Sequence, residues 1–340
     1  MLCASRSMRH KVNRALFKVG YLFYANTRCG KWMNDRMIRK AYSKYGDDGH
    51  SDTVSHTYGN VQIWSIPCIF DNYSYVIVDT DTNDAVVVDA GDGAAVLRFL
   101  EKHSIIPKAI LTTHKHWDHC GGNKLLKKRY SSIGVFGSSI DKPDGVANFL
   151  IHEQKVEIGS FEFIAYSTPG HTRGHMVYLL QGASLKSDLD FLFTGDLLFL
   201  AGCGKLFEGT AKQMLSSMDL LSALPSSTLI WPGHEYAVAC LKFSYTFDPD
   251  NTAVYEKLMW AREQRSSRQP TCPSTLEEEK QYNLFLRTSE IPVLKRLKMI
   301  HPPENISSVV DANEEQILMV TEEHRVQAFA SLRERKDMMQ

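Results

Sequence analysis

The chain has 340 residues, enough for one large domain or two ordinary ones, each with its own core. Hydrophobic residues make up 43% and charged residues 23%, with a formal net charge of zero, which excludes a disordered chain and gives no basic excess of the kind that marks a nucleic-acid binder. The seven cysteines (Cys3, Cys29, Cys68, Cys120, Cys203, Cys240 and Cys272) are widely spaced with no C-x-x-C pair, which points to free thiols in a reducing compartment rather than a disulfide framework.

Residues 1–34 carry Arg6, Arg9, Lys11, Arg14, Lys18, Arg28 and Lys31, and no acid precedes Asp35. The apolar patch at 19–25 is far shorter than the roughly 20 residues that span a bilayer. This basic, acid-poor stretch suits a mitochondrial transit peptide; a segment lying on a membrane surface and a solvated tail are the alternatives. The predicted location is therefore intracellular, mitochondrial or membrane-associated, with the cytoplasm as the alternative. Residues 45–58 are polar and turn-rich and read as a linker. Strands are predicted at 61–66, 73–79 and 85–89, followed by a helix at 93–103 with Val96, Phe99 and Leu100 on one face. A short apolar strand at 109–112 runs into a histidine-rich loop, and a basic helix follows at 122–130. A hairpin turning at Gly159-Ser160 is predicted over 156–165, with further buried strands at 176–180, 191–194 and 228–231. From about Tyr236 the pattern becomes helical: 253–268, a capping box at Ser274-Thr275-Leu276-Glu277, and a charged amphipathic helix at 322–336. The order points to a mixed α/β domain followed by a smaller helical one.

The sharpest feature is Thr112-Thr113-His114-Lys115-His116-Trp117-Asp118-His119. Imidazole nitrogens and carboxylate oxygens are the usual donors to a zinc-like divalent ion. His114 and His116 alternate, so both can face one side of an extended segment. Asp118 and His119 follow where the chain turns toward a helix and can face a second ion. His171, Asp196 and His234 each follow an apolar strand, within Pro169-Gly170-His171, Thr194-Gly195-Asp196 and Pro232-Gly233-His234. Donors at several strand ends favour one convergent site, because α/β sheets place ligands beyond their strand termini.

These residues match the T-H-x-H-x-D-H signature of the metallo-β-lactamase superfamily. The chain around them resembles glyoxalase II, the hydroxyacylglutathione hydrolase family. The pieces that carry the likeness are 112–123, 168–175, 194–209, 233–236 and 273–287, and it extends over about residues 60–338. Within that family, a branch carries a basic N-terminal stretch similar to Gly20-Tyr21-Leu22-Phe23-Tyr24. The resemblance implies a metallo-β-lactamase αββα sandwich followed by a small helical C-terminal domain. The expected division is 1–58 as the basic segment and linker, 59–235 as the catalytic domain and 236–340 as a helical substrate-binding domain. It also implies that His114, His116 and His171 hold one metal, that Asp118, His119 and His234 hold the other, and that Asp196 bridges them. Zinc is the expected ion, with iron or manganese as alternatives. A metal-bridging hydroxide, oriented by Asp118, would attack a glutathione thioester such as S-lactoylglutathione.

By the same resemblance, Lys205, Tyr236, Arg333 and Lys336 would contact glutathione. Phe207 stands where the family has a tyrosine, so one hydroxyl contact is absent. His175 could be an eighth ligand or an acid, but the family does not use that histidine as a ligand, so the resemblance implies a supporting hydrogen bond; Asp89 reads as a supporting or structural residue, and Cys120 as a small buried apolar group with redox sensitivity as the alternative. No nucleic-acid partner is expected, membrane contact would run through the N-terminus, and the oligomeric state is open. Two other activities remain: persulfide oxidation with one iron on a related fold, and a weakly active scaffold or regulatory relative.

Overall fold

Alternation of inward and outward side chains builds two sheets that share one apolar layer. The computed structural model describes residues 49–300 and 320–339, with scattered positions between 29 and 46. The basic stretch predicted to target or anchor the chain lies almost wholly outside the described residues. Among the described residues, no helix is long and apolar enough to cross a membrane.

The first sheet has seven strands in sequence order: β1 (Val54–Tyr58), β2 (Val61–Cys68), β3 (Asn72–Asp79), β4 (Ala85–Val88), β5 (Ala109–Thr112), β6 (Gly134–Ser138) and β7 (Asn148–Leu150). β1 to β4 pair antiparallel, and β4 to β7 run parallel. The second sheet has six strands. Its order is β15 (Ser274–Thr275), β14 (Leu229–Pro232), β11 (Phe191–Gly195), β10 (Met176–Leu180), β9 (Phe161–Ser167) and β8 (Gln154–Ile158). A small ribbon joins β12 (Leu198–Phe199) to β13 (Gly202–Cys203).

Tyr73, Tyr75 and Ile77 point from β3 into the layer between the sheets, where they meet Tyr178, Phe163, Phe193 and Trp231. The intervening Val76 and Val78 face outward onto Val96, Phe99 and Leu100 of α1 (Gly93–Lys102). The period of two therefore gives each strand two buried faces, as a sandwich covered by helices requires. A very short α2 (Trp117–Cys120) leads into α3 (Asn123–Arg129), which covers the same outer face. The outer face of the second sheet lies under α4 (Ala211–Ser222). Beyond it come α5 (Ala237–Phe247), α6 (Thr252–Ser266), α7 (Leu276–Tyr282), α8 (Ile291–Arg296) and α9 (Glu322–Met338). The αββα sandwich and its C-terminal helices follow the sequence reading.

Three local expectations change. Val54–Tyr58 is not linker but the edge strand β1, paired from Val54↔Ser65 to Tyr58↔Val61. Its Ser55 and His56 are only half-buried and its Thr57 is exposed, so the alternation is faint. The two-residue Gly59-Asn60 connection was the better signal. Gly59 has φ +59°, and a Cβ there would lie 2.2 Å from the Lys186 carbonyl oxygen. The helical part is also not purely helical, because β15 extends the second sheet. The capping box sits one residue later than expected: Thr275 Oγ1 accepts from the Glu278 amide, while the Ser274 hydroxyl donates to Glu279 at 2.8 Å.

Ahead of β1, the chain is clasped to the C-terminal end of α6. Arg265 donates to the His50 carbonyl at 2.6 Å, and Arg268 pairs with Asp52 at 3.0 Å. His50 Nε2 in turn donates to the Asn72 carbonyl at 2.9 Å.

Candidate metal centre

All seven predicted donors converge at one edge of the sandwich, where β4, β5, β11 and β14 end. Three overlapping groups have donor atoms within 4.8 Å of one another: His114, His116 and His171; His114, His119 and Asp196; Asp118, His119 and His234. All seven except Asp118 are buried, and Asp118 faces the cavity.

The outer nitrogens determine what the inner ones offer. His119 Nδ1 donates to Asp89 at 2.8 Å, His234 Nδ1 to Asp71 at 2.8 Å and His171 Nδ1 to the Lys205 carbonyl at 2.9 Å. Thr113 Oγ1 gives its own proton to Asp89 at 2.7 Å and so accepts from His114 Nδ1 at 3.1 Å. In its neutral form each of these four rings therefore turns an Nε2 lone pair inward. Those atoms crowd together: His114 Nε2 to His116 Nδ1 is 2.9 Å, His171 Nε2 to His116 Nδ1 is 3.0 Å, and His119 Nε2 to His234 Nε2 is 3.3 Å. Asp196 Oδ1 is buried and accepts no hydrogen bond, although His119 and His234 nitrogens lie 3.3 and 3.2 Å away. Converging lone pairs and an orphaned carboxylate oxygen repel one another unless cations lie between them. This donor set suits divalent metals.

The electrostatics are divided. Burial, reinforced by neighbouring rings, holds the pKa values of His114 and His116 well below that of an ordinary imidazole. Burial acts the same way on His119, but Asp196, Asp118 and Asp89 outweigh it and push it up to about 9. His234 is likewise raised, against burial, by Asp196 and Asp71. Burial would lift Asp196, yet His234, His119 and His171 hold it well below the usual carboxylate range. A fixed negative charge thus lies at the middle of the cluster.

His175 has both nitrogens engaged away from the cluster centre. Its Nε2 accepts from the Asp196 amide at 3.1 Å and its Nδ1 donates to Thr168 at 2.9 Å, so it positions Asp196. Cys120 is buried and its thiol is pushed up to about 12, as a packing group would be. Asp89 takes a left-handed φ of +53° to reach both Thr113 and His119. Strain of this kind persists where surrounding contacts enforce it.

Three supporting residues went unread in the sequence. Asp71 orients His234, and Asn72 donates to Asp118 Oδ2 at 3.1 Å. Buried Asp141 accepts from the Thr172 hydroxyl at 2.6 Å, the Gly174 amide at 2.9 Å and the Lys115 amide at 3.3 Å, joining the loops that carry His116 and His171. Phe70-Asp71-Asn72 was the available signal, a polar break between two strands directly opposite Gly233-His234. Asp71→Asn should lower the affinity for one metal by about 10–100-fold, as loss of a ligand-orienting carboxylate does. Chelator competition measures this, and unchanged affinity would remove Asp71 from that role.

Lys205, Tyr236, Arg333 and Lys336 all line one cavity of about 370 Å³ that opens onto His116, Asp118 and Asp196. Tyr236 stacks on His234 with ring centroids 4.8 Å apart. From charge pattern alone, Arg333 and Lys336 read as a solvated helix face; they are in fact 3% and 4% exposed. Arg333 donates to the Cys203 carbonyl and to Asp337, both at 2.8 Å. Phe207 sets its ring edgewise to His171 and His116, with centroids 5.0 and 5.6 Å away.

A strand-end cluster of histidines and aspartates that could hold metal, on an αββα sandwich, is the arrangement of a metallo-β-lactamase superfamily protein, and the model of that superfamily matches residues 70–135. The model described as hydroxyacylglutathione hydrolase C-terminus matches residues 235–339. The chain belongs to the hydroxyacylglutathione hydrolase, or glyoxalase II, family. It is 43% identical over 251 residues to the cytoplasmic hydroxyacylglutathione hydrolase of Arabidopsis thaliana, spanning 73% of this chain and 96% of that one. Among solved structures it is similar to ETHE1 from Myxococcus xanthus, at 22% identity and a TM-score of 0.49, covering 76% of this chain and 92% of that one. It is also similar to the BLEG-1 B3 metallo-β-lactamase, at 25% identity and a TM-score of 0.47, covering 63% and 94%.

Proposed function

We propose that the chain hydrolyses S-(2-hydroxyacyl)glutathione thioesters such as S-lactoylglutathione with two divalent metal ions, zinc foremost. His114, His116 and His171 would hold one ion, Asp118, His119 and His234 the other, and Asp196 would lie between them. The observation that carries this reading is a cavity that joins the donor cluster to Lys205, Tyr236, Arg333 and Lys336. A second donor set around Asp118 favours thioester hydrolysis over the one-iron persulfide alternative. Residues 59–235 would be the catalytic unit and 236–340 the substrate-binding one.

When bound, such a metal pair supplies a water acidified from about 15.7 toward neutrality and a Lewis acid for the carbonyl. Asp118, held by Asn72, would orient the nucleophile. Lys205, Arg333 and Lys336 bring three cations to the peptide end of the substrate, whose carboxylates are anionic. Tyr236 and Phe207 wall the path between that end and the reacting carbon. The departing thiolate is a good leaving group, so no strong general acid is required.

The test is turnover of S-lactoylglutathione by metal-reconstituted protein, scored beside Phe207→Tyr. Hydrolysis is expected, with KM lower in the variant by about 2- to 10-fold, the worth of one hydroxyl hydrogen bond of about 0.5–1.5 kcal/mol. A fully loaded protein that leaves the thioester intact would overturn the reading.

A further inference from the structure

Lys336 closes the buried stripe of α9, and its ammonium has no carboxylate partner among the described residues. Its Nζ instead donates to Cys240 Sγ on α5, 2.6 Å away. That is shorter than the about 2.7–3.2 Å of ordinary N–H···O bonds, although sulfur is the larger atom. The separation fits a nitrogen and a sulfur that share one bridging oxygen. Both side chains are buried, at 4% and 1% exposure, yet both border the substrate cavity, which gives a small oxidant a route in. Gly202 makes the close approach possible: a Cβ there would sit 2.5 Å from Cys240 Sγ and 2.6 Å from Lys336 Nζ. A lysine neighbour is also one of the features that make a cysteine reactive.

We propose that Cys240 and Lys336 form a covalent modification site, a sulfur–oxygen–nitrogen cross-link made with hydrogen peroxide that ties α9 to α5 across the cavity. The thiol S–H and one amine N–H break, while an S–O and an O–N bond form. Sulfur and nitrogen each lose two electrons. Two peroxide molecules take up those four electrons, leaving one oxygen in the bridge and releasing three waters. Two molecules of a dithiol reductant, each oxidised to a disulfide, supply the four electrons and four protons that reverse the step, returning the thiol, the amine and one water. The linked nitrogen is no longer an ammonium, so the cavity loses a cation. The effect on catalysis rests on the thioesterase reading, whereas the cross-link does not.

The experiment treats full-length protein with hydrogen peroxide and maps peptides by mass spectrometry. The expected product is one peptide pair joining Cys240 to Lys336, heavier than the two free peptides by one oxygen less two hydrogens and cleaved by dithiothreitol. It should be absent from Cys240→Ser and Lys336→Arg and retained in Cys203→Ala. In the same samples KM for S-lactoylglutathione should rise by the factor that Lys336→Ala produces, and reductant should restore it. Sulfinic acid on Cys240, a Cys203–Cys240 disulfide or unmodified Cys240 would each overturn the proposal. If the cross-link forms but no thioester is hydrolysed before or after oxidation, the site stands and the substrate assignment falls.

Discussion

Asp196→Ala should purify folded but with its metal content reduced from the two ions per chain proposed above to one or none, and with kcat/KM lowered by more than about 10³-fold. The magnitude follows from position. A ligand-orienting partner is worth about 10–100-fold, and Asp196 is the only carboxylate within ion-pair distance of His119, His171 and His234 together among the described residues. Removing it leaves the inward nitrogens of His119, His171 and His234 without the one carboxylate they share, and Asp118 alone remains in the cluster to help hold the cations. Elemental analysis after reconstitution, together with circular dichroism, separates this from misfolding. Two tightly bound ions in the folded variant would remove Asp196 from the bridging position.

The second large effect falls on binding. Lys336→Ala should raise KM for S-lactoylglutathione by roughly 10- to 150-fold with kcat nearly unchanged, the value of one shielded charged hydrogen bond of about 1.5–3 kcal/mol. Solvent screening does not discount it, because the side chain is 4% exposed. A contact remote from the reacting carbonyl binds ground and transition states alike, so it appears in KM. Arg333 calls for a gentler change, since its guanidinium also braces the Cys203 carbonyl. Arg333→Lys keeps the charge and should raise KM while preserving thermal stability. Unchanged kinetics in both variants would mean the substrate's anionic end lies elsewhere.

The candidate metal donors were legible because they are dense in sequence and each follows an apolar run, a pattern that packing alone does not produce. Asp71, Asn72 and Asp141 were not legible, because a lone polar residue in a connection has the composition of any turn. Their importance comes from what lies opposite them after folding. Arg333 and Lys336 occupy an intermediate place. Phe329, Leu332, Arg333 and Lys336 follow the i, i+3, i+4, i+7 spacing of one helix face, and Phe329 and Leu332 are fully buried. Reading the cations by their place on that stripe, rather than by charge, would have put them inside. The β1 edge strand was obscured for the opposite reason, its half-exposed residues having diluted the alternation that identified β3.

The clasp of Arg265 and Arg268 on His50 and Asp52 moves the working start of the enzyme upstream of its first strand. Trimming that stops before Gly49 would leave that anchorage whole. A cut at the 58–59 junction would strip β1 from the sheet edge, expose the backbone of β2 as a free pairing edge and unseat the residue that steadies Asn72 beside Asp118. The segment that reads as a spacer is therefore a limit on processing: proteases that shorten the chain can act without harm only on the side of it away from the sandwich.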